Sequence, residues 1–341
     1  PRCEGACVRP LALNLATCSA TLVLLALLAL PAWTLHTGAA VSSHGEAPSP
    51  GRLFGVYTDP RELARWTRDV GLRPNLVGEF EAFSRRRAPD QFLHRAARAG
   101  VTRAMITWEP WKTVPAALGP QRQAKPQPGF TNADIAGGAQ DAYIARFARS
   151  VAAFHGIVYV RYAHEMNGFW YPWSTNPRAY VRAWRRIVGI FRSEGARNAR
   201  FVWSTNPNLY EARPVWLDNL RRYWPGSRWV DVVGSTMINF GGDKPYSVGR
   251  FTPALRLLHR TFGKPVFLTE LNTEHATRIA WLHDLAKELR RDRWISAVAW
   301  SQLPSRAQAH GTNAGADLNW DVTSDHAAAV QLRAVAGDGS G

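Results

Sequence analysis

The chain has 341 residues, a formal net charge of +16 at pH 7 and three cysteines. The cysteines stand at positions 3, 7 and 18, so the rest of the chain can form neither a disulfide nor a thiolate metal site. Most of the positive charge is arginine that is scattered along the chain instead of gathered in one basic block, and this distribution argues against nucleic-acid binding.

The first fifty residues differ in composition from the rest. Residues 11–35 carry no charge, include the run TLVLLALLAL and follow two arginines. This pattern is typical of a signal peptide or of an uncleaved signal anchor, because about 20 apolar residues suffice to cross a bilayer. We expect residues 1–36 to be one of these two, residues 37–50 to be a linker rich in Ser, Pro and Gly, and the following domain to be extracytoplasmic, either membrane-anchored or secreted.

Residues 51–341 alternate between strand-like and helix-like segments. The apolar patterns predict strands at Leu53–Tyr57, Leu76–Phe80, Val101–Thr107, Ile157–Ala163, Phe201–Asn206, Trp229–Met237, Pro265–Glu270 and Ile295–Ser301. They predict helices at Pro60–Val70, Pro89–Ala99, Gln140–Phe154, Pro177–Glu194, Val215–Tyr223, Pro253–Phe262, Thr277–Arg291 and Ser324–Val335. Eight strands that alternate with eight helices favour one α/β domain over residues 51–341, most simply a (β/α)₈ TIM barrel, with an open doubly wound sheet as the alternative.

Two of the predicted strands end in a glutamate. The fourth runs VYVRYAHEMNG to Glu165 and Gly168, and the seventh runs KPVFLTELN through Glu270. Strict alternation along the fourth strand would place Arg161, Ala163 and Glu165 on one face. Two carboxyl groups at the mouth of a barrel are what a glycosidase needs, since one protonates the leaving oxygen while the other attacks the anomeric carbon or activates water.

Aromatic residues cluster near the same strand ends and suit the apolar faces of sugars. They are Trp108, Trp111, Trp170, Tyr171, Trp173, Trp203 and Trp300. Further acids near strand ends, namely Glu79, Glu109, Asp59 and Asp231, are secondary candidates for the site. His164 and Glu165 begin like a zinc-protease HExxH motif, but Gly168 stands where the second histidine is required, so we expect neither a metal nor another cofactor.

Several of these segments resemble glycoside hydrolase family 26. The residues that carry the resemblance are ITWEPW (106–111), RYAHEMNGFWYPW (161–173), FVWSTNPN (201–208), VFLTELN (266–272) and DLNWDVTSD (317–325). The resemblance implies a retaining (β/α)₈ enzyme of the β-mannanase and β-glucanase type, with Glu165 as acid/base and Glu270 as nucleophile. It also implies that Trp170 and Trp300 contact sugar and that His164 is the histidine that precedes the acid/base.

The full set of expected substrate-binding residues is His164, Arg161, Asn167, Trp108, Trp170, Trp203 and Trp300. One departure from the family stands out: Ile238 occupies the place nearest to a tyrosine that normally hydrogen-bonds the nucleophile, and Asn239 or Tyr246 could substitute for it.

Three functions are consistent with these features. The first is an exported retaining β-glycan hydrolase that cleaves an extracellular or cell-wall polysaccharide and contacts the membrane through its N-terminal helix. The second is a glycan-binding, weakly active or inactive barrel that serves a polysaccharide synthesis or export system. The third, a structural membrane-associated protein, is disfavoured because both glutamates are present among tryptophans.

Overall fold

The computed structural model describes residues 51–112, 125–207, 209, 211–241, 246–302 and 319–337. Eight parallel strands form a closed barrel in sequence order, and the eighth pairs with the first. The strands are β1 Leu53–Tyr57, β2 Leu76–Ala82, β3 Arg103–Glu109, β4 Ile157–Tyr162, β5 Ala199–Thr205, β6 Val232–Asn239, β7 Val266–Thr273 and β8 Ile295–Ser301. The closed order confirms the (β/α)₈ prediction, and the open-sheet alternative was wrong.

Helices follow the strands around the outside of the barrel. They are α1 Leu63–Val70, α2 Asp90–Arg98, α3 Asn132–Ala136, α4 Asp141–Ala152, α5 Pro177–Ser193, α6 Arg213–Tyr223, α7 Val248–Phe262, α8 Arg278–Arg291 and α9 His326–Ala336. Helix α3 lies between β3 and α4, where the sequence patterns predicted no helix. The sequence predicted that helix α7 starts at Pro253, but in the structure it already begins at Val248.

Helix α5 has clear start and stop signals. The Asn176 side chain accepts a hydrogen bond from the backbone N–H of Ala179 at 3.0 Å, and Pro177 occupies the first helical position. Gly195 follows the helix with a φ of 74°, a left-handed conformation that glycine adopts without strain. The apolar stripe, which includes Tyr180 and Phe191, is buried against the barrel.

Two apolar layers form the core. Alternate residues of each strand point into the barrel, where Leu53, Leu76, Met105, Tyr159, Val202 and Phe267 pack together. The intervening residues point outward and pack under the helices, among them Val56, Val77, Ile106, Val160, Val233 and Leu268. Because parallel strands in a barrel end at one face, polar residues near their carboxyl ends meet at a single mouth.

The predicted targeting segment at residues 1–36 and the linker at 37–50 lie outside the described residues and stay predictions. Among the helices that the structure does describe, none is long and apolar enough to span a bilayer.

Candidate active site

A buried arginine organises the mouth of the barrel. Arg161, on the interior face of β4, has no exposed surface. Its guanidinium donates to Ser204 Oγ from Nε at 3.0 Å and to Thr236 Oγ1 from Nη2 at 3.1 Å. Nη1 donates both to Thr107 Oγ1 at 3.2 Å and to Glu270 Oε2 at 3.0 Å. Four strands therefore hold one cation whose charge is balanced by a single directly bound carboxylate.

An irregularity in β7 brings Glu270 to this arginine. The pairing register with β6 shifts between Ser235 and Thr236, so that Thr236 lies opposite Glu270. The preceding residue, Thr269, also reaches the interior, where its hydroxyl is 2.8 Å from Ser204 Oγ. Strict alternation would place the side chains of Thr269 and Glu270 on opposite faces of the sheet. The bulge lets both side chains reach the interior of the barrel.

Glu270 is enclosed but still reachable, with 15% of its side chain exposed. Burial raises the pKa of Glu270, the Arg161 guanidinium opposes that rise, and the charge of Glu165 adds to it. Glu165 is thus near enough for its charge to contribute to the raised pKa of Glu270. A carboxylate fixed by one buried cation beside a second carboxyl is an arrangement suited to nucleophilic attack.

Glu165 reaches the mouth by a strained turn and not by strand alternation. Strand β4 ends at Tyr162, and Ala163 and Glu165 have φ values of 44° and 51°, in the left-handed region that non-glycine residues seldom adopt. Ala163 packs in the outer core layer, so the predicted common face for Arg161, Ala163 and Glu165 was wrong. Strain of this kind costs about 1–3 kcal/mol per residue and is typical of functional sites.

Two donors fix the Glu165 carboxyl. Trp170 Nε1 donates to Oε2 at 2.8 Å, and Asn206 Nδ2 donates to Oε1 at 3.2 Å. Asn167 in turn holds Asn206, because its amide donates to the Asn206 carbonyl at 2.8 Å and its Oδ1 accepts from the Asn206 backbone N–H at 2.9 Å. Asn167, predicted to bind substrate, therefore acts on Glu165 through Asn206.

His164 lies behind the site. It is 1% exposed, and its Nε2 is 3.0 Å from the Tyr171 hydroxyl. Its carbonyl accepts a hydrogen bond from Trp173 Nε1 at 2.7 Å. Burial, with the charge of Arg161, holds the pKa of His164 well below its ordinary value, so the ring is neutral at pH 7. His164 thus supports Tyr171, and it presents almost no surface to a substrate.

Three of the predicted sugar-binding tryptophans belong to the outer core layer instead. Trp108 stacks on Phe147 with ring centroids 4.1 Å apart, Trp203 packs on Phe262, and Trp300 Nε1 donates to the Trp320 carbonyl at 3.1 Å. All three have no exposed surface. They occupy outward positions of β3, β5 and β8, so the prediction that they contact substrate is corrected. Trp170, by contrast, is half-buried and touches Glu165.

The strand-six position has an apolar role. Ile238 packs with Trp320 and Phe240. The Asn239 side chain donates to Thr273 and Thr277 and accepts from the backbone N–H groups of Gly241 and Tyr246. The Asn239 side chain is thus bound to the segments that follow β6 and β7, and among the described residues Arg161 is the donor to Glu270.

The hydroxyl groups around Arg161 were not predicted from the sequence; they belong to Thr107, Ser204, Thr236 and Thr269. The signal for it was present, because these residues stand at inward positions of their strands once the barrel register is known. Asn206 lies within the segment FVWSTNPN (201–208), but the sequence alone offered no reason to assign it a role in the site. Within the described ranges, no group of three or more His, Cys, Asp or Glu side chains is arranged to hold a metal ion.

The closed (β/α)₈ barrel carries two glutamates near the carboxyl ends of β4 and β7, an arrangement that resembles the paired carboxyl groups of glycosidases. A family model described as "Glycosyl hydrolase family 26" matches residues 139–259. The matched residues make up less than half of the chain, and over that range the chain is similar to glycosyl hydrolase family 26.

Two curated relatives carry related names. Endoglucanase H of Acetivibrio thermocellus is 27% identical over 254 residues, which cover 69% of this chain and 24% of the relative. Mannan endo-1,4-beta-mannosidase A and B of Caldalkalibacillus mannanilyticus is 33% identical over 85 residues, which cover 22% of this chain and 15% of the relative. The chain therefore spans less than a quarter of the length of either relative.

Solved structures share the fold. GH26C from Muricauda sp. aligns with a TM-score of 0.57 and 15% identity, covering 74% of this chain and 79% of that one. The catalytic domain of the GH26 endo-beta-1,4-mannanase from Bacillus sp. JAMB-750 aligns with a TM-score of 0.55 and 14% identity, covering 82% and 87%.

Proposed function

We propose that this chain is an endo-β-glycanase of the β-mannanase and β-glucanase type that cleaves a polysaccharide with retention of anomeric configuration. The observation that carries the proposal is the bond from buried Arg161 to Glu270, beside a Glu165 carboxyl held by two donors. One carboxyl is thereby kept as an ionised nucleophile, and the other is oriented beyond the end of β4.

The reaction has two steps. Glu270 attacks the anomeric carbon while the bond to the leaving oxygen breaks and Glu165 gives its proton to that oxygen. Formation of the glycosyl ester removes the charge of Glu270, and Glu165, now a carboxylate, takes a proton from water as the water attacks. Trp170 and Asn206 hold Glu165 in one place through both steps.

The alternative is a glycan-binding barrel with weak or no activity, in the service of a polysaccharide synthesis or export system. The observation in its favour is Ile238, an apolar side chain where the family resemblance led us to expect a tyrosine. Against it stands the Arg161 contact, since a charged donor stabilises a carboxylate more strongly than a neutral hydroxyl.

The deciding experiment is a panel of β-mannans, β-glucans and xylans incubated with three proteins: wild type, Glu270→Ala and, as control, Glu62→Ala. Glu62 is an exposed glutamate away from the barrel interior. Hydrolysis of a glycan by wild type and Glu62→Ala but not by Glu270→Ala supports the enzyme. Binding without hydrolysis by wild type favours the alternative, and neither binding nor hydrolysis refutes both.

We also propose that the domain acts outside the cytoplasm, on the strength of the uncharged residues 11–35. Protease added to intact cells that express the full chain should digest the barrel if it is anchored outside, and secreted barrel should be recovered from the medium if the segment is cleaved. Full-length protein in the soluble cytoplasmic fraction would refute the proposal.

A further inference from the structure

Glu109 is an acidic residue of the barrel mouth that the two-glutamate mechanism does not use. It is the last residue of β3, on the same inward face as Thr107, which contacts Arg161. Residues two apart along a strand are separated by roughly 7 Å. Glu109 therefore lies one layer above the Arg161–Glu270 pair, toward the mouth, and its side chain is 8% exposed.

The two oxygens of the Glu109 carboxyl have different environments. Trp111 Nε1 donates to Oε2 at 3.2 Å, and Trp111 is itself held edge-on by Tyr171 and Trp173. Oε1 has no hydrogen-bond partner among the described residues, and it is not sealed from solvent. Because an indole N–H can only donate, Oε2 is the acceptor, and in the neutral acid the proton belongs on Oε1.

The charges around Glu109 favour the neutral acid. Burial above all, together with the charge of Glu270 on β7, raises the pKa of Glu109 to about 8, although Trp111, Arg161 on β4 and Arg85 after β2 act in the opposite direction. Tyr171 is another titratable group nearby, and burial holds the pKa of its phenol well above the ordinary value. A pKa of about 8 favours the neutral form of Glu109 at neutral pH, in which Oε1 carries a proton that it can donate.

We propose that Glu109, as a neutral carboxylic acid, donates a hydrogen bond from Oε1 to a hydroxyl of the sugar unit that Glu270 attacks. This inference rests on the proposed glycosidase function and adds a substrate-binding residue to it. A donor at this point can hold the sugar without setting a second carboxylate beside Glu270. The same contact is lost when Glu109 ionises, so substrate binding weakens at alkaline pH.

The test is the dependence of kcat/KM on pH between 5 and 10 for wild type, Glu109→Ala, Glu109→Gln and Glu79→Gln, on the glycan that the panel identifies. Glutamine resembles the neutral acid in shape and can donate from Nε2, but it cannot ionise. Glu79 is the matched control, because burial raises its pKa to about 7 while it stands on the outward face of β2.

At pH 6 we expect Glu109→Ala to lower kcat/KM by about tenfold to hundredfold, as expected for the loss of one buried hydrogen bond. Glu109→Gln should stay within about threefold of wild type at pH 6. Its activity should also decline less than that of wild type between pH 6 and pH 9, because only wild type loses the proton of Glu109. Glu79→Gln should follow the wild-type profile throughout.

The inference is overturned if Glu109→Gln loses as much activity as Glu109→Ala at pH 6, or if its alkaline decline matches that of wild type. If wild type hydrolyses no glycan, the proposed function fails, and binding decides this inference instead. Tryptophan fluorescence would then follow manno- and gluco-oligosaccharides at pH 6 and pH 9. If wild type loses affinity at pH 9 while Glu109→Gln retains it, the inference about Glu109 is supported. Any other result, including no binding, refutes this inference.

Discussion

Arg161 donates to Glu270 at 3.0 Å from a position with no solvent exposure, and its remaining bonds go to hydroxyl groups on three other strands. One side chain thus stabilises the nucleophile's charge and ties β3, β4, β5, β6 and β7 together. The arginine has this double role because the planar guanidinium can donate in several directions at once, which an ammonium group on a flexible chain cannot reproduce.

Arg161→Lys should therefore damage both activity and stability. We expect kcat to fall by about a hundredfold or more, since the charge that holds Glu270 is displaced, and the free energy of unfolding to fall by about 3–5 kcal/mol, as for other broken buried ion pairs. Enzyme assays and urea unfolding measure the two effects. Arg149→Lys, which alters an exposed pair with Glu194, should change stability by less than about 1 kcal/mol. Equal behaviour of the two variants would contradict the assignment.

Trp170→Phe tests the donor that fixes Glu165. The change keeps an aromatic ring but removes the N–H that lies 2.8 Å from Glu165 Oε2. We expect kcat/KM to fall by about tenfold, with a larger loss on substrates whose leaving groups need protonation than on activated aryl glycosides. Phe169→Ala is the control, because the neighbouring side chain is 72% exposed. A uniform loss on both kinds of substrate would show that Trp170 binds sugar without acting on the acid.

The sequence predicted the barrel well, because every strand shows an apolar run and every helix a stripe with the expected spacing. It predicted the site unevenly. Trp108, Trp203 and Trp300 look the same in a sequence whether they point inward or outward, and only the barrel register distinguishes the two faces. Glu165 illustrates a second limit, since its strained turn after Tyr162 follows from contacts with β5, including the bond from its N–H to the Ser204 carbonyl.

The raised pKa of Glu109 also makes a prediction about stability. A carboxyl group whose pKa is higher in the folded protein than in the unfolded chain stabilises the fold at low pH. That stabilisation is lost as the pH rises from the unfolded value near 4.5 to the folded value of about 8. Glu109→Gln should therefore match wild type near pH 5 and become more stable than wild type toward pH 9. The gain is at most about 1.4 kcal/mol for each pH unit of that window.

Chemical denaturation at pH 5, 7 and 9 measures this difference. Glu79→Gln provides the comparison, because the pKa of Glu79 is raised to about 7 and its advantage over wild type should level off about one pH unit earlier. If Glu109→Gln gained the same stability at every pH, the carboxyl would not change its charge in this range, and the neutral acid assigned to the mouth of the barrel would be wrong.

The last prediction concerns the stereochemistry of the reaction. In retaining glycosidases the two carboxyl groups are about 5–5.5 Å apart, because the nucleophile must touch the anomeric carbon, whereas inverting enzymes need about 6.5–9.5 Å to fit a water molecule. The charge of Glu165 contributes to the raised pKa of Glu270, Arg161 donates a hydrogen bond to Glu270, and the resemblance to family 26 implies the retaining arrangement. We therefore expect retention, seen by NMR of the first-formed product.

The two glutamate variants should then differ in a diagnostic way. Glu165→Ala should still form the glycosyl-enzyme from substrates with good leaving groups, because those need no proton, and should accumulate it, because no base activates water for the second step. Glu270→Ala should turn over neither activated nor natural substrates. A burst of released aryl group from Glu165→Ala, together with a covalent adduct on Glu270 detected by mass spectrometry, would establish the two roles. Net inversion, or a burst that survives in Glu270→Ala, would refute the assignment of Glu270 as the nucleophile.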